Sequence, residues 1–411
     1  MPDAQSTSTT CCIVGGGPAG MMLGFLLACA GIATIVLEKH ADFLRDFRGD
    51  TIHPSTLQAI DELGLLDEFL ALPHQQARVL SGKVGDVTIP LADFSHLPTK
   101  AKFIALMPQW DFLNFLAGKA KLYPTFRLML KAEVDGLIEE GGMVRGVTAK
   151  TPDGRLKVRA DLTVGADGRH SIVRAKAGFT PKNIGAPMDV LWFRLSWRPS
   201  DPDETFGRID YGQILVLLQR GDYWQCAYVI AKGGFDQMKS QDIAVLRSRI
   251  AELAPFVADR VAELKTWDDL KLLTVAVDRL PLWHRPGLLC IGDSAHAMSP
   301  IGGVGINVAI QDAIAAANIL APALRQGGPP PDSLLAAVQR RREPAVKLTQ
   351  AMQVFIQNRV ISNVLHEQGK ITPPWYLRLL TDLPWTRRLT ARFIGLGFRV
   401  ERVKSSHAKL P

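Results

Sequence analysis

The sequence is poor in the residues from which several function classes are built. Its five cysteines, Cys11, Cys12, Cys29, Cys226 and Cys290, include two neighbours and form no CxxC or Cys/His ligand spacing. Neither a disulfide framework nor a zinc site is indicated. Free thiols in apolar contexts fit a reducing cytosol, so a cytoplasmic location is expected. Charge is nearly balanced: 48 basic against 40 acidic residues give a formal net charge of +8, and the stretch Arg378–Pro411 holds eight of the basic and two of the acidic ones. The remaining chain therefore lacks the broad basic face of a nucleic-acid binder. Met1–Thr10 has no Lys or Arg, which argues against a signal-peptide n-region. The most apolar stretch, Met21–Leu37, follows Gly-Gly-Gly-Pro-Ala-Gly and is broken by Gly24 and Gly31. It reads as a helix and then a strand, not a membrane span. No solenoid-period repeat, low-complexity tract, metal set or Ser/His/Asp triad is apparent.

What is present is an α/β pattern with an interruption. At 411 residues, with 47% apolar and 21% charged residues, the chain has room for two or three units of roughly 150 residues. Cys11–Val14 reads as a strand, Pro18–Ala30 as a helix and Ala33–Glu38 as a second strand, the start of a βαβ unit. From about Ile184 to Val277 short strand-like runs dominate, and Trp192, Trp197, Tyr211, Trp224 and Tyr228 cluster there, as in an antiparallel sheet. Val84–Leu91 and Phe103–Met107 could join that sheet. The expected fold is thus an α/β unit with a parallel sheet in three segments, 1–83, 108–183 and 278–360. An antiparallel unit, 184–277, is inserted, with strands from 84–107, and 361–411 forms a basic amphipathic extension.

Three glycine–acid turns carry the chemistry. Gly15-Gly16-Gly17-Pro18-Ala19-Gly20 fits GxGxxG between strand and helix. Gly15 permits the tight turn, Gly17 lets a pyrophosphate approach the backbone, and Gly20 allows close helix–strand packing. Glu38 ends the second strand, 18 residues past Gly20, where a carboxylate can accept from ribose hydroxyls. The second turn, Gly165-Ala166-Asp167-Gly168-Arg169-His170-Ser171 through Arg174, follows an apolar run. The third, Gly292-Asp293-Ser294-Ala295-His296, continues to Pro300 and then Gly302-Gly303-Val304-Gly305-Ile306-Asn307.

In these three ordered motifs the sequence resembles the p-hydroxybenzoate-hydroxylase-like family of single-component FAD-dependent aromatic hydroxylases, over nearly the whole chain to about residue 360. The resemblance implies a Rossmann-like FAD-binding domain, an inserted antiparallel-sheet substrate domain and C-terminal helices. It assigns the ADP part of FAD to Gly15, Gly17, Pro18, Ala19, Gly20, Glu38 and Lys39, and the flavin and ribityl chain to Gly292, Asp293, Gly303, Gly305, Ile306 and Asn307. Asp167 and Gly168 are implied for both FAD and the pyridine nucleotide, and His170 and Arg174 for NADPH or NADH, a solvated turn histidine staying open for His170. Arg48 matches a cofactor-proximal arginine, and Gln109 stands where Arg is commoner. Val304 departs from the family's usual Gln or similar polar residue. Glycines let the backbone approach a planar ring, and the positive end of the following helix favours an anionic reduced flavin by about 0.3–1 kcal/mol.

The implied reaction is hydride transfer from NAD(P)H to FAD, oxygen addition at the flavin C4a atom and delivery of oxygen to an electron-rich ring. Pro300 and His53 are the candidate catalytic positions. His53, Tyr211, Gln213 and Trp224 are candidates for the substrate pocket, where sheet aromatics suit a planar organic molecule and plain core is the competing reading. His296 reads as a packing group. Open alternatives are another flavoenzyme of the superfamily, such as an epoxidase, prenyl-chain reductase or halogenase (the halogenase WxWxIP motif is missing), and a flavin-binding redox module. The tail interleaves Trp385, Leu389 and Phe393 with Arg387, Arg388 and Arg392. It suits an anionic membrane surface, a second copy in a homodimer, or its own domain, the last being the commonest fate of a single apolar stripe.

Overall fold

The computed structural model describes residues 5–44, 51–202, 205–366, 369 and 383–404. Strand β1 (Gln5–Val14) runs between β2 (Thr34–Leu37) and β3 (Gly154–Gly165), and β4 (Leu288–Cys290) extends the sheet beyond β3, all parallel. Phe126–Met129 adds a further parallel strand outside β2. The buried end of β1 serves two cores by simple alternation. Cys11 and Ile13 face one layer, and Cys12 and Val14 face the other. All five cysteines are free and buried, and burial pushes the thiols of Cys12 and Cys290 up to about 12.

The helices framing the sheets are α1 (Pro18–Cys29), α2 (Pro54–Glu62), α3 (Ile172–Lys176), α4 (Ile243–Leu253), α5 (Gly305–Leu324), α6 (Asp332–Ile356) and α7 (Pro384–Leu396). Helix α1 is buried on nearly every side, in one core with α5, which explains its membrane-like composition. The segment Ile301–Leu324 is long and apolar enough to cross a membrane, but 72% of its apolar window is buried within the protein.

The second sheet has seven strands, ordered Lys271–Leu273, Met188–Ser196, Tyr223–Ala231, Gln213–Gln219, Phe206–Asp210, Val79–Val84 and Val87–Asp93. It is antiparallel except where Phe206–Asp210 runs parallel to Val79–Val84. Ile104–Leu106 instead pairs with Thr51–Ile52 and Gln75–Ala77 in a separate three-stranded sheet, which corrects the expectation for Phe103–Met107. The chain passes between the two main sheets at Lys182–Asn183 and Asp278–Arg279, and these crossings pair with each other.

The two faces of this sheet have different partners. Phe193, Leu215, Trp224, Cys226 and Tyr228 pack under α4. Val190, Ile214, Ala227 and Val229 face the other way, toward Ile301, Ile361 and Val364. This corrects two of the expected substrate residues. Trp224 is fully buried under α4, its indole N–H donating to Asp201 at 2.9 Å. Gln213 accepts from the Tyr228 hydroxyl at 2.9 Å, also on the α4 side. Aromatic content marked the sheet but not its inward face.

Helix α7 packs through Ala391, Ile394 and Leu396 on Phe94, Leu97 and Leu106 of its own chain. Its outer face leaves Trp385 and Leu389 exposed. Residues 370–382 and 405–411 of the basic extension lie outside the described residues.

Asp201 is the polar anchor of the α4 layer. Arg260 clasps it with two hydrogen bonds of 2.7 and 2.8 Å, both side chains almost wholly enclosed. Burial alone would raise the Asp201 carboxyl, but Arg260 and Trp224 outweigh it and hold it below its ordinary range. Replacing Arg260 with Met strands that carboxylate and should cost about 3–5 kcal/mol in denaturant unfolding while leaving bound flavin unaffected. A loss below about 1 kcal/mol would show that the pair is not anchoring this layer.

Candidate functional site

The first glycine turn is shaped by backbone contacts that exclude side chains. Gly15 has φ +105°, and a Cβ there would lie 2.4 Å from the Ala166 carbonyl oxygen. At Gly20 it would lie 2.0 Å from the Gly15 carbonyl oxygen and 3.3 Å from Ile13, so this glycine permits contact with the turn itself as well as with β1. Gly17 is different: a Cβ there meets nothing within 4 Å. It precedes α1, whose N-terminus opens with Pro18 and has no side-chain cap. The first-turn N–H groups of Ala19 and Gly20 therefore stand at an uncapped, positive helix end. Glu38 follows β2, accepting from Gly16 N–H at 2.9 Å and His40 N–H at 3.0 Å. Lys39 beside it is exposed.

The other two turns abut the first. Gly15 touches the second through Ala166 and Asp167. A Cβ on Gly292 would lie 3.2 Å from Ala19 and 3.1 Å from Ala309, so the third turn is wedged between the starts of α1 and α5. Ser294 Oγ donates to the Gly165 carbonyl at 2.6 Å, and Arg174 donates to the Ser294 carbonyl at 3.3 Å. Arg169 reaches to 3.9 Å from the half-buried Asp293 carboxylate. Chain segments 15–20, 165–174 and 292–296 thus form one continuous surface.

Several expected contacts have local partners in this arrangement. Asp167 accepts from Ser171 Oγ at 2.5 Å and Val173 N–H at 3.1 Å, so its carboxylate caps α3. Burial pushes that carboxyl above its ordinary range despite the opposing hydrogen bonds. Gly168 has φ +81° and supplies the turn. Arg174 is buried and straps the second turn to the third, also donating to the Arg169 carbonyl at 2.5 Å. His170 is exposed.

Beyond the third turn, Pro300 leads into Gly302 and Gly303, both left-handed, at φ +75° and +62°. Gly303 abuts Thr51: a Cβ would lie 2.6 Å from Thr51 Oγ1. Helix α5 begins at Gly305 and Ile306 with no side-chain cap, a second uncapped helix end. Asn307 faces the 51–56 segment. Its amide oxygen accepts from His53 N–H at 3.0 Å and Thr56 Oγ at 2.7 Å, and its nitrogen donates to the Thr51 carbonyl at 3.3 Å. The side chain therefore clips distant segments together.

His53 is fully buried, with Nδ1 2.8 Å from the Ile394 carbonyl, so Nδ1 carries the proton and donates. Burial lowers its pKa to about 4 against the opposing effect of that bond. His53 thus stands in the wall beneath α7, its backbone N–H bonded to Asn307. Tyr211 sits at a hairpin tip, 38% exposed with φ +48°. Gln109 is half-buried at the start of the helix Gln109–Ala120, and Arg48 lies outside the described residues.

Sequence reasoning missed what holds the third turn. Asp312, the one charged residue of α5, is fully buried. It accepts from Gly292 N–H at 3.1 Å, His296 Nε2 at 2.6 Å and Arg342 Nε at 2.9 Å. Burial pushes its carboxyl up, but His296 and Arg342 more than compensate and hold it below the ordinary range. From α6 and its end, Gln350 donates to the Ala297 carbonyl, Gln353 to the Ser299 and Ile301 carbonyls, and Gln357 to Ser299 Oγ, at 2.7–2.9 Å. A lone acid in an alanine-rich helix and glutamines at i, i+3 and i+7 were the available signals.

The residues fit an FAD. The approach over Gly17 is open, two helices start without side-chain caps, the Asp293 carboxylate stands half-buried at the third turn, and glycines make room where three turns meet. Comparison with known proteins agrees. Residues 8–352 match the family model described as FAD binding domain. The chain is 32% identical to 6-methylpretetramide 4-monooxygenase of Streptomyces rimosus, across 98% of this chain and 96% of that protein. The fold is similar to that of p-nitrophenol 4-monooxygenase PnpA from Pseudomonas putida DLL-E4, with TM-score 0.76, 20% identity and coverage of 96% of this chain and all of the other. It is also similar to Pseudomonas aeruginosa PqsL in complex with 2-aminobenzoylacetate, with TM-score 0.75, 20% identity and coverage of 92% and 100%.

Two outcomes follow from this geometry. Gly17→Val should leave apoprotein stability near wild type yet weaken FAD binding roughly tenfold or more, whereas Gly20→Ala should destabilise the fold itself; thermal melts beside flavin titration separate them, and a Gly17→Val protein that binds FAD normally would contradict the open approach. For His53, the unfolded chain takes up a proton near the usual imidazole pKa of about 6.5, the folded chain only near 4. Stability should therefore fall as pH drops through that window, and His53→Gln should flatten that part of a urea-unfolding pH profile. An unchanged slope would contradict the burial argument.

Proposed function

The chain belongs to the FAD-binding-domain family matched by residues 8–352 and is an FAD-dependent monooxygenase, from which we propose that it uses NAD(P)H and O2 to hydroxylate a planar aromatic substrate. The observation that carries this reading is the meeting of three sequence-distant turns, with Gly15 against Ala166 and Gly292 against Ala19. Aromatic substrates in the names of similar proteins support the substrate class: p-nitrophenol for one and 2-aminobenzoylacetate for another.

In this proposal the segments 5–78, 108–183 and 278–360 form the cofactor domain and 184–277, with Val79–Asp93, the substrate domain. The N–H groups at the start of α1 bind the pyrophosphate, and Glu38 accepts from the ribose. Asp293 accepts from the ribityl hydroxyls, with Arg169 steadying its charge. When bound, FAD supplies the redox chemistry, taking a hydride from NAD(P)H and activating O2. The uncapped start of α5 stabilises negative charge on the ring. Pro300 and Ile301 lie on the substrate side, since Ile301 packs against the inner face of the second sheet. Val190, Ile214 and Val229 there exclude water, which favours transfer of oxygen over its release as peroxide. His170 and the exposed edge of the second turn are where the pyridine nucleotide approaches. Five buried free thiols support a reducing, cytoplasmic setting.

The test is to purify the full chain, record its visible spectrum, and measure NADPH and NADH consumption with panels of phenolic, polycyclic aromatic and lipid compounds. Acceleration by an aromatic compound with matching hydroxylated product is expected. Product formed only from lipids would replace the aromatic reading with that of an epoxidase. Asp293→Ala removes hydrogen bonds to the ribityl chain worth about 1.5–3 kcal/mol and should cost tenfold or more in FAD affinity.

A further inference from the structure

The third turn is held from behind by charge, and that charge is completed by the end of the chain. Asp312 Oδ2 accepts from both Gly292 N–H and His296 Nε2, while Oδ1 accepts from Arg342. Arg342, also almost fully buried, donates through Nη1 to the Arg399 carbonyl at 2.8 Å and lies 3.4 Å from Glu401. Arg341 holds Glu401 by both oxygens, donating from Nε to the same Oε1 at 2.7 Å and from Nη2 to Oε2 at 3.1 Å. Glu401 N–H donates to Gln311, the residue beside Asp312 on α5. The same strap is fixed at its far end, where Glu62 accepts from Arg402 at 2.6 Å and Val403 N–H at 2.8 Å, and Asn318 donates to the Arg402 carbonyl at 2.8 Å. Residues 397–404 are therefore bonded to α2, α5 and α6 at once.

We infer that Asp312, Arg342 and Glu401 form a positioning relay through which the C-terminal strap sets the affinity of the flavin site. The inference rests on the reading of Gly292-Asp293 as the ribityl-binding turn. A buried carboxylate can hold the Gly292 N–H and His296 as an anion only while a cation faces it. The charged and titratable groups around Asp312 are His296 from the turn, Arg342 from α6, and Glu401 from the strap, which Arg341 in turn neutralises. Arg342 alone touches both the carboxylate and the strap. Seating the strap fixes Arg342, and Arg342 fixes the turn. Flavin binding and strap docking are then coupled, each favouring the other.

The test uses the full-length chain, freed of flavin and titrated with FAD by fluorescence quenching, alongside thermal unfolding of the apoprotein. Arg342→Gln should weaken FAD binding roughly 5- to 50-fold and make it weaken further as pH is lowered from about 8 to 6, while wild type stays level. Arg342→Lys keeps a cation beside Asp312 and should restore the level profile, although one ammonium cannot bridge carboxylate, carbonyl and Glu401 as the guanidinium does. Glu401→Gln removes the strap's charge on Arg342 and Arg341 while leaving that cation and the strap's backbone bonds in place, so it should weaken binding with no pH dependence. A lower apoprotein melting temperature in Arg342→Gln with unchanged FAD affinity and a level profile would overturn the relay, leaving only fold stabilisation. If Arg342→Gln does not fold, wild-type affinity in both Arg342→Lys and Glu401→Gln overturns it equally. Undiminished affinity in Asp293→Ala would instead remove the assignment of the turn, whatever the Arg342 variants show.

Discussion

The carboxylate of Asp312 sits where three parts of the molecule need one fixed point. Its helix, α5, is otherwise uncharged and packs against α1, so the fold could be built around an apolar residue there. With the acid in place, Gly292 N–H and His296 gain a buried acceptor, and Arg342 becomes necessary to balance it. Burying a lone carboxylate is prohibitively costly, so the network has to be complete. The consequence is a turn braced from behind, with Asp293 half-buried beside it and the start of α1 touching its glycine.

The glycines around the site do two different jobs. Gly15, Gly20 and Gly292 exist because protein atoms crowd in where a side chain would stand; Gly17 exists because nothing does. The first kind joins the turns and the second leaves the opening. GxGxxG, read as a motif, treats them alike.

Much of the α/β fold was legible because its signals are local: an apolar strand, a glycine turn at a helix start, and an acid after the next strand. The insertion was legible as well, since β-branched and aromatic runs between turns read as antiparallel sheet. Which face of that sheet looks inward was not. Alternation separates Trp224 and Cys226 from Ala227 and Val229, but only the positions of α4 and Ile301 decide which set meets the cofactor side. Distance in sequence hid the rest. Nothing local in the sequence announces that the Asn307 amide oxygen accepts from His53 N–H and Thr56 Oγ1, some 250 residues earlier. His53 likewise meets Ile394 across almost the whole chain. The basic tail offered three destinations with one pattern, and its inner face turned out to pack on Phe94 and Leu97.

A crystal structure of the chain with FAD would show whether the three turns grip one flavin. The pyrophosphate is expected over Gly17 at the start of α1, the ribityl chain against Asp293, the ring at the start of α5, and Asp312 still bonded to Gly292, His296 and Arg342. Flavin found elsewhere, or a third turn that must leave Asp312 to receive it, would contradict this arrangement.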